Sequence, residues 1–256
     1  MDYLVFRLYG PMASWGQAAV GGDRPSGMAP GRGALLGMMC AALGIRREQD
    51  DDITRLGECL EFAVKQKTEG TLLRDYHTVQ APSEDKKRTY RTRKEELSGP
   101  KNKLNTVLSS RDYRMDGVWI IAVAVKDAAN AESSLLAQLQ QALLTPVFPL
   151  YLGRKSCPPA LPLMPKLVAA DCLKYALDTP FPGVSATLYD PEKNTDAYWL
   201  GIRSESTYYW QGELSGLDGK EHGATLTYQP WDDPISRTRW QFGQRQQHQL
   251  TLREDG

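Results

Sequence analysis

The sequence lacks any apolar run long enough to cross a membrane. Its longest such run, residues 34–45, is interrupted by glycines and is shorter than the roughly 20 residues that a spanning helix needs. The start, Met1 followed by Asp2, does not have the basic character of a secretory signal peptide. These absences predict a soluble globular protein that stays in the cytoplasm and has no membrane role.

An excess of charge of either sign is also missing. The chain has 31 Lys/Arg and 31 Asp/Glu, for a formal net charge of zero. A generally basic coat, of the kind that attracts nucleic acid over a whole surface, is therefore excluded. Any polyanion would have to bind a local basic patch.

Cysteine and histidine are too sparse to suggest metal chemistry. The four cysteines form no Cys-x-x-Cys pair, so the sequence indicates neither a zinc site nor a disulfide framework. The three histidines, His77, His222 and His248, form no cluster in the sequence. We expect reduced thiols, no metal and no cofactor.

Residues 24–44 combine a glycine-rich loop with a short apolar helix. Arg24 and Arg32 lie in the loop, and the apolar residues 34–43 follow, with Gly44 at the position after the helix. Free N–H groups at a helix start, beside guanidinium groups, can hold phosphate. The Walker spacing and the dinucleotide-binding pattern are both absent. The alternative is that the glycines let a buried helix approach a sheet, while both arginines are solvated loop charges.

The order of predicted elements is typical of an α+β fold. Strands are predicted at residues 3–9, 60–67 and 117–125, and helices at 34–43, from Asp50 towards Leu60, and at 132–144. A further strand near 147–152 would complete the βαββαβ order of a ferredoxin-like unit, which is also the RRM scaffold. From about residue 158, short alternating runs predict a smaller, mainly β region.

A long insertion, Arg74 to Arg114, separates the second and third predicted strands. It holds eleven Lys/Arg and six Asp/Glu, a net charge of +5 in a neutral chain. Tyr76, Tyr90 and Tyr113 are interleaved with the basic residues. Because tyrosines stack on unpaired bases and arginines bind phosphates, this pattern favours RNA. The alternative is a solvated loop whose charges serve solubility alone.

Four motifs follow one another along the chain. They are Leu8-Tyr-Gly-Pro-Met-x-x-Trp-Gly-Gln17, Arg24-Pro25 followed by Leu35-Leu36-Gly37, Leu73-Arg-Asp-Tyr-His-Thr-Val79, and Tyr151-Leu-Gly-Arg-Lys-Ser-Cys-Pro158. Together they resemble the CasD family, the repeat-associated subunits of the type I-E CRISPR surveillance complex Cascade. The similarity runs from Tyr3 to about Pro162 and resumes weakly at Asp232-Asp233-Pro234.

The resemblance implies a non-catalytic, crRNA-binding subunit with a modified RRM fold. It implies that the insertion at about 74–114 forms a β-hairpin thumb. The order of predicted elements places the ferredoxin-like domain over residues 1–155 and a smaller β-rich region over 156–256. Such a subunit holds the 5′ handle of the crRNA, contacts the backbone subunit CasC and the large subunit CasA, and meets target DNA through the complex.

The candidate RNA-binding residues come from the helix entry, the insertion and the loop near residue 154. The set is Arg24, Arg32, Arg74, His77, Lys86, Lys87, Arg88, Arg91, Arg93, Lys101, Lys103, Arg111, Arg154 and Lys155. The aromatic octamer of RRM proteins is not recognisable on the strand at 117–125, so base stacking on the sheet is not expected.

Two other functions remain open at this stage. Some relatives in other CRISPR subtypes cleave crRNA precursors, and His77 with the insertion lysines could serve a metal-independent endoribonuclease. A free-standing RRM-like protein that binds assorted single strands is the third possibility. We prefer the binding subunit, because no histidine cluster accompanies His77 and a separate subunit makes the cut in the type I-E family.

Overall fold

The computed structural model describes residues 1–19, 21–83, 89–126, 134–188, 190, 195–236, 238–239 and 241–254. The strands are β1 Asp2–Tyr9, β2 Asp23–Arg24, β3 Leu60–Thr68, β4 Thr71–Pro82, β5 Leu104–Met115, β6 Val118–Val125, β7 Lys166–Ala169, β8 Glu205–Trp210, β9 Leu226–Tyr228, β10 Trp231–Ser236, β11 Gln241–Gln244 and β12 Gln247–Arg253. The helices are α1 Arg32–Leu43, α2 Asp50–Cys59, α3 Arg93–Glu96, α4 Leu135–Leu144, α5 Leu173–Leu177, α6 Val184–Leu188 and α7 Asp196–Trp199. Short 3₁₀ turns lie at Lys101–Lys103 and Leu214–Leu217.

Seven strands form one antiparallel sheet in the order β7-β1-β6-β3-β8-β12-β9. All eight residues of β6 are buried. Side chains of β6 alternate between two apolar clusters, with Trp119 and Ile121 on one face and Ile120 and Ala122 on the other. Burial on both faces explains why this strand is a continuous apolar run rather than an alternating one.

Helix α1 packs in the larger apolar cluster, as its all-round apolar character predicts. Leu35, Leu36 and Met39 are at most 2% exposed. The helix ends at Gly44, which adopts a left-handed conformation with φ of 81°, and glycine adopts that conformation without a Cβ penalty. The predicted strands at 3–9, 60–67 and 117–125 and the helices around residues 34–43 and 50–60 are also confirmed.

The prediction of a strand near residues 147–152 is wrong. The N–H groups of Val147 and Phe148 donate to the carbonyls of Ala42 and Ala41 at the end of α1, so they cannot join a sheet. The strand that pairs with β1 at this edge is instead β7. It begins at Lys166, fourteen residues after the end of the predicted strand. The predicted helix at 132–144 is α4, described from Leu135, and residues 132 and 133 lie outside the described residues.

The insertion forms a long β-hairpin. Strands β4 and β5 pair antiparallel over all twelve residues, from Thr71 opposite Met115 to Pro82 opposite Leu104. The short strand β2 pairs in parallel with β5 at Ser110 and Arg111. We call these three strands, in the order β2-β5-β4, the hairpin sheet.

Among its described residues, the chain after residue 158 contributes strands β7 to β12 and three short α-helices. Strands β8, β12 and β9 continue the sheet that β1, β3 and β6 begin, and β10 pairs with β11 in a separate hairpin. The C-terminal strands therefore share a core with the N-terminal ones.

Candidate nucleic-acid interface

One face of the hairpin sheet collects basic side chains from three separate chain segments. Arg24 of β2 lies opposite Arg111 of β5, and Arg111 lies opposite Asp75 of β4. His77 follows Asp75 on the same face, because side chains alternate along a strand. The structure leaves Arg24, His77 and Arg111 exposed. We call this surface, defined by Arg24, Asp75, His77 and Arg111, the arginine face.

His77 is held by a neighbouring carboxylate. Its Nδ1 lies 3.1 Å from Oδ2 of Asp75, and about half of the His77 side chain is exposed. Asp75 was not singled out from the sequence. Its signal is the spacing of two residues, which places Asp75 and His77 on the same face of a strand.

Arg154 extends the arginine face towards the base of the hairpin. Its guanidinium carbon lies 5.2 Å from the ring centre of Tyr113, and its Nη1 donates to the Tyr113 hydroxyl at 3.4 Å. Tyr113 is two residues from Arg111 and points to the same face. The loop turns at Gly153, φ 87°, where a Cβ would lie 1.8 Å from the Ser14 carbonyl oxygen. Lys155 is exposed on the same loop.

Arg74 lies on the opposite face of the hairpin, in an ion pair. Its Nε and Nη2 donate to the two carboxylate oxygens of Asp112 at 2.8 and 2.9 Å. The hydrogen bonds from Arg74 hold the pKa of Asp112 below its usual value. On the same face, the Ser110 hydroxyl donates to Asp23. The structure therefore separates Arg74 from Arg24, His77 and Arg111.

The end of the hairpin carries the remaining described candidates. Arg93 donates to the Glu96 carboxylate and to the carbonyl of Gln80, while Arg91 and Lys103 are exposed. The predicted residues Lys86, Lys87 and Arg88 lie outside the described residues, and Lys101 is described for its backbone alone.

Arg32 does not fit the predicted role of a phosphate ligand. It is 7% exposed, and all three guanidinium nitrogens donate inside the protein. Nε binds Asp233 at 2.7 Å, Nη1 binds the Leu60 carbonyl at 3.0 Å, and Nη2 binds the Gly57 carbonyl at 2.5 Å. The burial and these acceptors direct the group into the fold, so we correct Arg32 to a structural residue.

The start of α1, where the sequence suggested a phosphate site, is occupied by a carboxylate of this same chain. Oδ2 of Asp232 accepts from the backbone N–H of Arg32 at 2.8 Å, and Arg245 binds both Asp232 oxygens. A Cβ on Gly31 would lie 2.4 Å from Oδ2 of Asp232, and one on Gly33 would lie 2.9 Å from its carbonyl oxygen. The glycines thus permit a close approach, as the alternative interpretation held, but to strand β10.

A metal site among the described residues would need a group of side chains that could bind the ion. No group of three or more His, Cys, Asp or Glu side chains is placed to hold one among them. Across the same part of the chain, no helix is long and apolar enough to cross a membrane.

The sequence matches a known family of proteins. The model of the family described as "CRISPR-associated protein (Cas_Cas5)" matches residues 3–248. The "CRISPR system Cascade subunit CasD" of Escherichia coli (strain K12) is 34% identical over 203 residues, which are 76% of this chain and 83% of that protein.

Solved structures show a similar fold. A chain of a "CRISPR RNA-guided surveillance complex" superposes with a TM-score of 0.64 and 26% identity, covering 98% of this chain and 90% of that one. A second structure, "Crystal structure of Cas protein", has a TM-score of 0.60 at 22% identity, covers 98% and 95% of the two chains, and supports the fold alone. The resemblance to CasD that the motifs predicted is confirmed, and the chain belongs to the Cas5 family of CRISPR-associated proteins.

Proposed function

We propose that this chain is a non-catalytic crRNA-binding subunit of a type I-E Cascade, which holds the 5′ handle of the crRNA. Its partners are then the crRNA, CasC, CasA and, through the complex, target DNA, all in the cytoplasm. The observation that carries the proposal is the arginine face, where Arg24 and Arg111 stand side by side on neighbouring strands. The similarity to CasD and to a chain of an RNA-guided surveillance complex supports it.

The physical argument rests on charge. Like charges directly opposite each other on adjacent strands repel, and this repulsion is relieved when an anion lies between them. Guanidinium groups bind phosphate oxygens through charge-assisted hydrogen bonds, often two at a time. Asp75 is the acidic member of the arginine face, and it also lies beside His77. Two arginines against one carboxylate leave this face positive, as a phosphate backbone requires.

The fold class proposed with this function is a modified RRM. In the ferredoxin-like βαββαβ order, the second helix leads to a strand that returns beside the first. The order β7-β1-β6-β3, with α1 and α4 in the connections, supports this assignment. The hairpin sheet is then the thumb. The division into residues 1–155 and 156–256 stays a prediction.

The double variant Arg24→Ala, Arg111→Ala tests the role of the arginine face. We expect at least tenfold weaker crRNA binding at low salt, because two phosphate contacts are lost. Single-strand binding releases about 0.7 counterion per contact, so the log–log salt slope should become less negative by about 1.4. The measurement is a titration of labelled crRNA at several salt concentrations.

The matched control is Arg55→Ala, Arg253→Ala, which removes the same charge from exposed positions on α2 and β12. It should leave both the affinity and the salt slope near those of the unchanged chain. Equal effects of the two double variants would show that net charge, and not the arginine face, governs binding.

The end of the hairpin has its own test. Replacing Lys86, Lys87, Arg88 and Arg91 with glutamate should make the log–log salt slope less negative than that of the unchanged chain. The melting temperature should stay unchanged, because the tip of an insertion contributes little to the core. An unchanged slope in that variant would place the RNA on the arginine face alone.

The contact between Asp75 and His77 supports a second candidate function, that of a metal-independent endoribonuclease. A carboxylate that orients an imidazole is a feature of general-base catalysis. For the binding subunit, His77→Ala should leave the ends of crRNA made in cells unaltered, which sequencing of those ends would check. Specific cleavage of repeat RNA by the purified chain, lost in His77→Ala, would establish the nuclease instead.

A further inference from the structure

We propose that the outer edge of β4 binds an extended segment of another protein subunit as an added β-strand. This inference rests on the proposed function, because the partner is a protein subunit of the same complex. It concerns the outer edge of β4, whereas Arg24 and Arg111 of the arginine face lie on β2 and β5. The added strand would therefore run beside the arginine face and would not cover its two arginines.

Strand β4 ends the hairpin sheet. It is twelve residues long, and no other described strand pairs with its outer side. The strands at the two edges of the seven-stranded sheet, β7 and β9, have four and three residues. Proteins keep edge strands short or covered, because a long row of unpaired N–H and C=O groups recruits a further strand.

A side-chain contact identifies the backbone groups that point outwards. The carbonyl of Gln80 accepts from Nη2 of Arg93. The N–H of Ser110, which lies opposite Tyr76, donates at 3.2 Å to Gly22 on the far side of β5, so Tyr76 does not exchange backbone hydrogen bonds with β5. In an antiparallel strand the N–H and C=O of one residue point to the same side, and the side alternates with each residue. The backbone N–H and C=O groups of Thr78, Tyr76 and Arg74 therefore also point outwards, whereas those of the residues between them point to β5.

Apolar side chains flank this edge on both faces of the hairpin. Leu72 and Tyr76 are exposed on one face, and Leu73 and Val79 on the other. Side chains of an added strand would also alternate between the two faces and would meet these four residues. The partner segment that fits is extended, free of proline, and apolar at successive positions.

A protein segment fits this edge better than RNA does. RNA carries no repeating ladder of N–H and C=O groups that could complete a strand, and its phosphates are attracted by cations. Arg74 is the basic residue among those whose backbone groups point outwards, and its side chain is already paired with Asp112 through two hydrogen bonds. Backbone pairing and apolar flanks are what a β-strand supplies.

Hydrogen–deuterium exchange read at residue level tests the inference directly. It would be measured on the full chain alone, with crRNA, and in the complex assembled with the other protein subunits. The amides of Tyr76 and Thr78 should exchange rapidly in the first two samples and at least tenfold more slowly in the third. Unprotected amides in the assembled complex, or protection by crRNA alone, would overturn the proposal.

A pair of variants gives an independent test. Thr78→Pro removes an outward N–H that β5 does not use, and proline is tolerated on that side of an edge strand. Thr78→Ala keeps the N–H and removes only the side chain. We expect Thr78→Pro to reduce incorporation into the complex at least tenfold and Thr78→Ala to assemble normally. Equal incorporation of both variants would contradict strand addition.

Binding of crRNA separates the two proposals. Thr78→Pro should bind crRNA as the unchanged chain does, which shows that the hairpin is intact. If Thr78→Pro loses crRNA binding as well, the hairpin is disrupted, and the exchange pattern of the unchanged chain decides. A chain that joins the complex through β4 yet binds no crRNA would refute the proposed function and leave this inference standing.

Discussion

Arg32→Ala is expected to lower the free energy of unfolding by about 3 kcal/mol, since removal of one partner from a buried charged network costs about 3–5 kcal/mol. The substitution leaves the carbonyls of Gly57 and Leu60 without their donor and Asp233 without its cation. For a chain of this length the melting temperature should fall by roughly 6–12 °C. Thermal denaturation followed by circular dichroism measures the change.

The controls for this prediction separate a structural role from an RNA-binding role. Arg32→Lys should also be destabilised, because one ammonium group cannot reach three acceptors that surround a planar guanidinium. Arg24→Ala, on the exposed arginine face, should have a free energy of unfolding within about 0.5 kcal/mol of that of the unchanged chain. An Arg32→Ala protein that melts normally but loses crRNA affinity would restore Arg32 as a phosphate ligand.

Lys65→Met should have the second large effect, a loss of about 2–3 kcal/mol in the free energy of unfolding. Lys65 is 6% exposed, and its Nζ lies 2.6 Å from Asp178 and 2.9 Å from Glu254. Methionine fills a similar volume but leaves two partly buried carboxylates facing each other without the ammonium group. Urea denaturation at pH 7 measures the loss.

The effect of Lys65→Met should depend on pH. Burial alone would raise the pKa of Asp178, but hydrogen bonds from Lys174, Lys65 and Tyr208 outweigh it, so that this pKa is lowered. The pKa of Glu254 is lowered in the same way, against burial, by hydrogen bonds from Ser206 and Lys65. Carboxyl groups with lowered folded-state pKa values stabilise the protein above their unfolded pKa, which is about 4.

That stabilisation is lost as the pH falls through the folded-state pKa values of the two carboxyl groups. The difference in stability between the unchanged chain and Lys65→Met should therefore be largest near neutral pH and shrink below about pH 4. Lys67→Met is the matched control, because Lys67 is on the same strand and its Nζ lies 3.7 Å from Glu254. It should change stability by no more than about 0.5 kcal/mol. A constant difference at all pH values would mean that Lys65 acts through packing alone.

The local elements could be predicted from the sequence because their signals are local. The apolar run of β6, the all-round apolar α1 with Gly44 at its end, and the acidic start of α2 each reflect the burial or the helix dipole of one element. The length of the insertion between two predicted strands marked a separate segment, but its form as a hairpin thumb was implied by the resemblance to CasD. Each of these signals lies within one stretch of chain and can be recognised without knowing which other element packs against it.

The motifs determined the family as well, because they occur in order along most of the chain. The 34% identity to the CasD of Escherichia coli extends over 76% of the chain. Family membership did not decide which arginines face solvent, since arginine serves equally well in a buried network and on a phosphate-binding surface.

Only the tertiary structure decided where the side chains of Arg24 and Arg32 lie. The two residues are eight positions apart and looked equivalent in the glycine-rich loop. Arg32 is buried because Asp233, 201 residues away, meets it at the start of α1. Arg24 joins Arg111 because the two-residue strand β2 pairs with β5, 87 residues further along the chain. Contacts over such separations depend on the whole packed fold, so they leave no periodic signal in the sequence.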